Sequence, residues 1–195
     1  MKIVDGNKIA ESILQNCKNE LKKNKFIPKL SIIMVGDNSS SLTYIEKKRQ
    51  AGEKVGITVE IHRFEKADQL TLLDLINNLN HDSSVHGIII QLPLPLGLNE
   101  FELCSAINPQ KDVDGLNPKN LGDLWITKEP HLIPATVKGI EYILKDISEK
   151  EGQKYENYIS GKNVLIINRS VIIGKPLAGL LLNQDATITL AHSKT

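Results

Sequence analysis

Cysteine is almost missing from this chain: Cys17 and Cys104 are the only two in 195 residues. Two cysteines supply neither a disulfide framework nor a zinc-ligand spacing, and a reducing, cytoplasmic setting fits. Aromatic residues are scarce as well, with three Phe, four Tyr and one Trp, too few to lay out stacking platforms for bases. Charge of one sign is lacking: 24 Lys and Arg face 23 Asp and Glu, for a net charge of +1. That removes the electrostatic case for nucleic acid or an anionic membrane. No apolar run approaches transmembrane length. The opening MKIVDGNKIAESIL is polar and amphipathic, unlike a signal peptide. There is no internal repeat and no low-complexity tract. GxGxxG is absent, and so is a P-loop: Gly174-Lys175 runs into Pro176, and Arg169 stands where the earlier glycine would be.

What remains is ordinary for a folded protein, 41% apolar and 24% charged, and long enough for one large domain or two small ones. The organising stretch is Ser41 to Val55, SLTYIEKKRQAGEKV. At about 100° per residue, Tyr44, Lys48, Ala51 and Val55 fall on one helical stripe, flanked by Ile45 and Gly52. Lys48 therefore lies mid-stripe, one turn after Tyr44. An ammonium in a low-dielectric site is costly without a partner. Two readings stand side by side. Lys48 snorkels to the rim and covers apolar surface with its stem, or it is a lysine of adjustable pKa beside a tyrosine hydroxyl, facing a cleft.

Taken in order, Ile9 to Leu21 has a helical apolar pattern expected to pack on a sheet. Leu30 to Val35, LSIIMV, is a short apolar run ending in Gly36-Asp37-Asn38, as in a buried parallel strand. Ser39, Ser40 and Ser41 offer N-caps for the central helix and Gly56 its C-cap. Ile57 to Phe64 alternates as a strand, Leu70 to Leu79 is a helix, and Val85 to Gln91 a third strand followed by LPLPLG. The sum is βαβαβ, a largely parallel sheet with right-handed crossovers. Ligands bind beyond the carboxyl ends of such strands. Gly36-Asp37-Asn38 and Gln91 lie there. After a helix near Asn99 to Ile107, so does the loop KDVDG with Asp112 and Asp114. Gln91 could equally satisfy loop amides, Asp114-Gly115 could be a turn, and either aspartate a solvated charge.

From Asn117 the pattern changes. Pro118, Pro130 and Pro134 punctuate a weakly periodic stretch, which places a domain boundary there: residues 1–117, then 118–195. Thr136 to Ile147 is amphipathic and helical, and Ser148 to Ser160 reads as a polar loop. Asn163 to Ile167 is a strand, Asn168 to Lys175 a loop, Pro176 suits a first helical turn, and Ala186 to Leu190 is a second strand. This is the opening of a nucleotide-binding βαβ. An acid after the second strand would suit NAD. The residues there are His192-Ser193-Lys194-Thr195, with Arg169 in the first loop. They suit a ribose phosphate, hence NADP, or form an ordinary polar loop.

Four segments then occur together in the order and spacing of one family: VGDNSSSLTYIEKKRQAGEKVGI, GIIIQLPLP, KDVDGLNPKNLG, and RSVIIGKPLAGLLL with ATITLAHSKT. Over all 195 residues the chain resembles the bifunctional methylenetetrahydrofolate dehydrogenase/methenyltetrahydrofolate cyclohydrolase family, lacking its C-terminal third. The resemblance implies an α/β protein: a parallel-sheet folate-binding catalytic domain followed by a truncated Rossmann-like NADP-binding domain. It implies NADP-dependent oxidation of 5,10-methylenetetrahydrofolate, hydrolysis of the methenyl product to 10-formyltetrahydrofolate, a cytoplasmic homodimer, and no nucleic-acid or membrane partner. Lys48 matches the catalytic lysine, Tyr44 the tyrosine stacked near the pterin, and Gln91 the glutamine bonded to that lysine. Asp114 matches the pterin-binding aspartate. Arg169, Ser170 and Ser193 match contacts to cofactor phosphate. Two departures stand out. Asn168 replaces a glycine at a tight turn near the cofactor, and Ala135 replaces a cysteine in the segment Pro134-Ala135-Thr136-Val137. The competing expectation is a non-catalytic truncated remnant that binds folate or a partner subunit, and the 195-residue chain alone is not expected to be a competent dehydrogenase.

Overall fold

The structure is a computed structural model that describes residues 3–195. It divides into two compact units. One is Glu11–Val113; the other is Asp114–Thr195 together with the residues leading up to Ala10.

In the first unit, β1 (Lys29–Val35), β2 (Thr58–Phe64) and β3 (Gly87–Ile90) form a parallel sheet in the order β2-β1-β3. The central strand pairs Ile32 with Ile61 on one side and Ile89 on the other. Ser31 to Val35 is fully buried, as an apolar parallel strand covered on both faces must be. Between the strands run α2 (Ser39–Val55) and α3 (Gln69–His81), and α4 (Glu100–Ala106) follows β3. Leu72, Ile76, Leu79 and Leu103 of α3 and α4 are buried. Ile45 of α2 packs with Ile32, Met34 and Ile89 of the sheet. Beyond α4, Asp112 bridges Ile88 in parallel, and the Ile88 amide donates to Lys111 O at 2.7 Å.

Two expectations about helices need correction. The long first helix, α1 (Gly6–Asn24), exists, but none of its residues is buried. Its apolar residues are half-covered and Cys17 is exposed. On α2 the buried positions are Ser41, Ile45, Gly52 and Val55, and Tyr44 is 63% exposed. The packed stripe is rotated by about one residue from the stripe through Tyr44. Gly52 explains the turn: a Cβ there would stand 2.8 Å from Val59 Cγ2, so this face, not its neighbour, lies closest to β2. The cap also shifts. Asn38, not one of the serines, closes α2 by accepting from the Ser40 and Ser41 amides.

The second unit contains α5 (Pro118–Ile126), α6 (Ala135–Lys150), α7 (Tyr155–Ile159), β4 (Asn163–Ile167), α8 (Gly174–Leu182) and β5 (Thr187–Ala191). β4 and β5 pair in parallel, Asn163 with Thr187 through Ile167 with Ala191. Nearly all of α8 is buried. Its residues pack with Leu124, Val137, Tyr155, Ile159 and Ile166 in one core. The stretch read as weakly periodic holds α5, and the polar loop holds α7. Among the described residues, no helix is long and apolar enough to cross a membrane.

Candidate active site

In the first unit the carboxyl ends of β1 and β3 deliver two side chains to one another. Gly36, with φ +88°, turns the chain out of β1 and its amide donates to Phe64 O at 2.8 Å. Asn38 then starts α2. Three residues beyond the buried Ile45, the half-buried Lys48 leaves the same side of the helix. Gln91 directly follows β3, and its amide continues the ladder by donating to Ile33 O at 2.9 Å. Lys48 Nζ donates to Gln91 Oε1 at 3.4 Å. Gln91 Nε2 donates to Leu92 O at 2.8 Å, which fixes the amide with its oxygen toward the lysine. The Leu92–Pro93 peptide is cis. Glu100 Oε1 accepts from the Leu94 amide at 2.9 Å, tying the LPLP loop to α4.

Lys48 is thus neither a free surface ammonium nor a snorkelling stem alone. It is half-buried and held by a neutral oxygen. Tyr44, one turn earlier, presents an exposed ring. The neighbouring Arg49 is bound by Glu46 at 2.7 Å and Glu53 at 2.6 Å. Hydrogen bonds from Arg49 and Gln50 hold the Glu46 carboxyl down at about 2.

Asp112 is 2% exposed, not a solvated loop charge. Asp114 is half-buried and opens the second unit. After it, Gly115 takes φ +70°, and a Cβ there would lie 3.0 Å from Leu132 Cδ2 and Pro134 N. The 114–115 turn is therefore packed against residues 132–134.

The β4–β5 register brings Arg169 and Ser193 to one edge. Ile167 pairs with Ala191, and each of the two residues lies two positions beyond. Neighbouring strands are about 4.8 Å apart, so the two loops leave the sheet side by side. Arg169, Ser170, Ser193 and Lys194 are all exposed. A cation and hydroxyls at the carboxyl ends of parallel strands fit a phosphate-bearing dinucleotide, and no acid stands after β5. Gly174 begins α8 where a Cβ would fall 2.1 Å from Asn168 O, a close backbone approach of the kind nucleotide loops make. Asn168 itself is not among the residues with positive φ, which apart from glycine are Lys25 and Asp185 among those described. Its carboxamide, which sequence reasoning placed near the phosphates without a role, accepts from the Ser170 amide at 2.8 Å. An Asn two residues before a loop amide signals that turn.

Comparison with known proteins agrees with both regions. Residues 4–114 match the tetrahydrofolate dehydrogenase/cyclohydrolase catalytic domain, and residues 134–195 match the NAD(P)-binding domain of the same family. The bifunctional protein FolD of Staphylococcus epidermidis is 42% identical over 200 residues, an alignment that covers 100% of this chain and 66% of the relative. The chain thus spans slightly less than two thirds of that relative's length. The bifunctional 5,10-methylenetetrahydrofolate dehydrogenase/cyclohydrolase of Thermoplasma acidophilum superposes with a TM-score of 0.88 at 34% identity, covering 100% of this chain and 67% of that one. The Trypanosoma brucei enzyme, solved with NADP cofactor and an inhibitor, gives a TM-score of 0.87 at 32% identity, covering 100% and 65%. The α/β fold, with its parallel catalytic sheet and NAD(P)-binding unit, is that of these structures, and the chain belongs to the tetrahydrofolate dehydrogenase/cyclohydrolase family.

Proposed function

We propose that this chain carries the residues for NADP-dependent oxidation of 5,10-methylenetetrahydrofolate and for hydrolysis of the resulting methenyl compound to 10-formyltetrahydrofolate. The observation that carries the reading is the Lys48–Gln91 pair at the carboxyl edge of the first sheet. NADP, when bound, accepts the hydride from the one-carbon bridge. The chain's residues bind and orient the substrate and handle the proton. Tyr44 supplies an exposed aromatic face for the pterin ring. Asp114 offers a carboxylate acceptor to the pterin amino and ring N–H groups, a charge-assisted pairing. Arg169, Ser170 and Ser193 would hold the cofactor's ribose phosphate, and the absence of an acid after β5 favours NADP over NAD.

Hydrolysis needs more from the protein. The methenyl carbon is cationic, so water adds to it and loses a proton. The uncharged Lys48 amine takes that proton, and the ammonium then protonates the ring nitrogen as its bond to the one-carbon unit breaks. One proton leaves to solvent over the full reaction. Gln91, locked by Leu92 O, keeps the lysine aimed. The homodimeric, cytoplasmic setting belongs to the same reading. A non-catalytic folate-binding remnant is less favoured, because Gln91 holds the Lys48 amine at the carboxyl edge of the sheet, where ligands bind.

Lys48→Met tests this. Methionine keeps the stem and removes the amine. We expect methenyltetrahydrofolate hydrolysis to fall by at least a hundredfold, the range of general acid–base catalysis, with the circular dichroism spectrum unchanged. Hydrolysis within a few-fold of the parent overturns the assignment of Lys48.

A further inference from the structure

The loop between β4 and α8 is filled by its own oxygens. Asn168 Oδ1 accepts from the Ser170 amide at 2.8 Å, and Ser170 Oγ accepts from the Ile173 amide at 3.1 Å. The Lys175 amide donates to Ser170 O at 3.0 Å. At the start of α8, the position a Gly174 Cβ would take lies 2.1 Å from Asn168 O and 2.8 Å from Asn168 Oδ1. Yet α8 has no side-chain cap of its own. In a βα loop of this kind, the amides after the strand and at the helix start are the donors a phosphate uses. Here the Asn168 side chain sits on one of those donors and crowds the helix start.

We propose that Asn168 is an affinity-setting residue for the dinucleotide: its carboxamide competes with the cofactor's phosphate for the Ser170 amide and must swing away before the cofactor seats. This rests on the dinucleotide reading of residues 168–195. It goes beyond it by assigning to one side chain a negative effect on binding, and it separates Asn168 from Arg169 and Ser170, whose contributions are attractive. The carboxamide is a neutral mimic of the anion. A carboxylate at the same place would bind the donor more tightly and also repel phosphate. A methyl group would leave the donor open. Because Asn168 does not take a positive φ, alanine fits its backbone without strain.

The experiment compares the parent chain with Asn168→Ala and Asn168→Asp, titrating NADP by calorimetry and following Ser170 amide exchange by NMR without ligand. One hydrogen bond released from competition corresponds to roughly 2- to 12-fold in affinity. We expect Asn168→Ala to bind NADP tighter by about that factor and Asn168→Asp to bind more weakly than the parent. Ser170 amide exchange should quicken in Asn168→Ala alone. If the parent binds NADP and Asn168→Ala binds equally or more weakly, the inference fails while the dinucleotide reading stands. If none of the three binds NADP, the dinucleotide reading fails and takes the inference with it. Faster Ser170 exchange without a change in affinity also overturns the inference, since it leaves the side chain a purely structural turn.

Discussion

Tyr155→Phe should stabilise this protein, and more so as pH rises. Tyr155 opens α7 and is 7% exposed, within the core formed by Leu124, Val137, Ile166 and α8. Its hydroxyl is buried with no hydrogen-bond partner. The ring is otherwise well placed, with Lys145 Nζ 5.2 Å from its centroid, a contact that phenylalanine retains. Leaving a buried hydroxyl unsatisfied costs about 1–3 kcal/mol. Removing the oxygen while keeping the ring should recover most of that, raising the melting temperature by about 2–12 °C for a chain of this size. Burial, with the Glu141 and Glu156 carboxylates nearby, pushes the hydroxyl from its ordinary 10.0 up to about 12. A raised acid holds its proton longer folded than unfolded. Its contribution is therefore intact below pH 10 and lost as pH climbs through about 12. The difference of roughly two pH units is worth about 3 kcal/mol. Other groups titrate in that window, so the quantity to follow is the stability of Tyr155→Phe minus that of the parent, from urea melts at pH 7, 9, 10 and 11. It should be positive at pH 7 and constant to pH 9, then grow. A destabilised variant at pH 7 would mean that the hydroxyl has a partner, and a flat difference to pH 11 would refute the burial argument.

Two further perturbations address the site and its scaffold. Asp114→Ala should weaken tetrahydrofolate binding by about 1.5–3 kcal/mol, roughly 10- to 150-fold by titration calorimetry, with little change in melting temperature; unchanged affinity would make Asp114 a turn residue only. Gly52→Ala places a methyl 2.8 Å from Val59 Cγ2, an overpacking cost of about 1–3 kcal/mol against a helix-propensity gain of up to about 1 kcal/mol. A lower urea midpoint is expected, and a more stable variant would show that α2 and β2 can move apart freely.

The first sheet was legible in the sequence because β1 and β3 are short apolar runs and β2 alternates between polar and apolar residues. Nothing but a buried parallel strand suits Leu30 to Val35. The helices between them announced themselves by period. Their rotation did not. Tyr44 and Ile45 are neighbours, and composition alone ranks both as packable; the close approach at Gly52 decides for Ile45. The helix α5 was missed although its signal was present: Asn117 accepts from the Lys119 amide and Pro118 occupies the first turn. Three prolines in a short span outweighed that cap when they should have marked a helix start. Lys48 could be suspected from its place on the helix, but its partner lies 43 residues away in sequence. Only the parallel pairing of β1 with β3 brings Gln91 to it. The roles given to Tyr44, Asp114, Arg169, Ser170 and Ser193 came from motif likeness rather than from periodicity, since an exposed polar residue has no pattern to betray it.

Asn38 and Asn168, each after the first strand of its unit, both accept from the amide two residues on, with different consequences. Asn38 accepts from two amides of α2 and so closes that helix start to anions. Lys48, the proposed proton carrier of that edge, lies about two turns beyond Ser41, the last capped amide. Asn168 accepts from only one amide and lies outside α8, whose start carries no side-chain cap. On the proposed dinucleotide reading, that carboxamide shields one donor of the phosphate site. On the proposed reading the first edge handles a proton through Lys48, and Asn38 satisfies two of its helix donors. A phosphate at the second edge would have to displace the loop's own oxygens, Asn168 Oδ1 among them. Replacing Asn38 by alanine would cost helix stability, whereas replacing Asn168 would release the Ser170 amide.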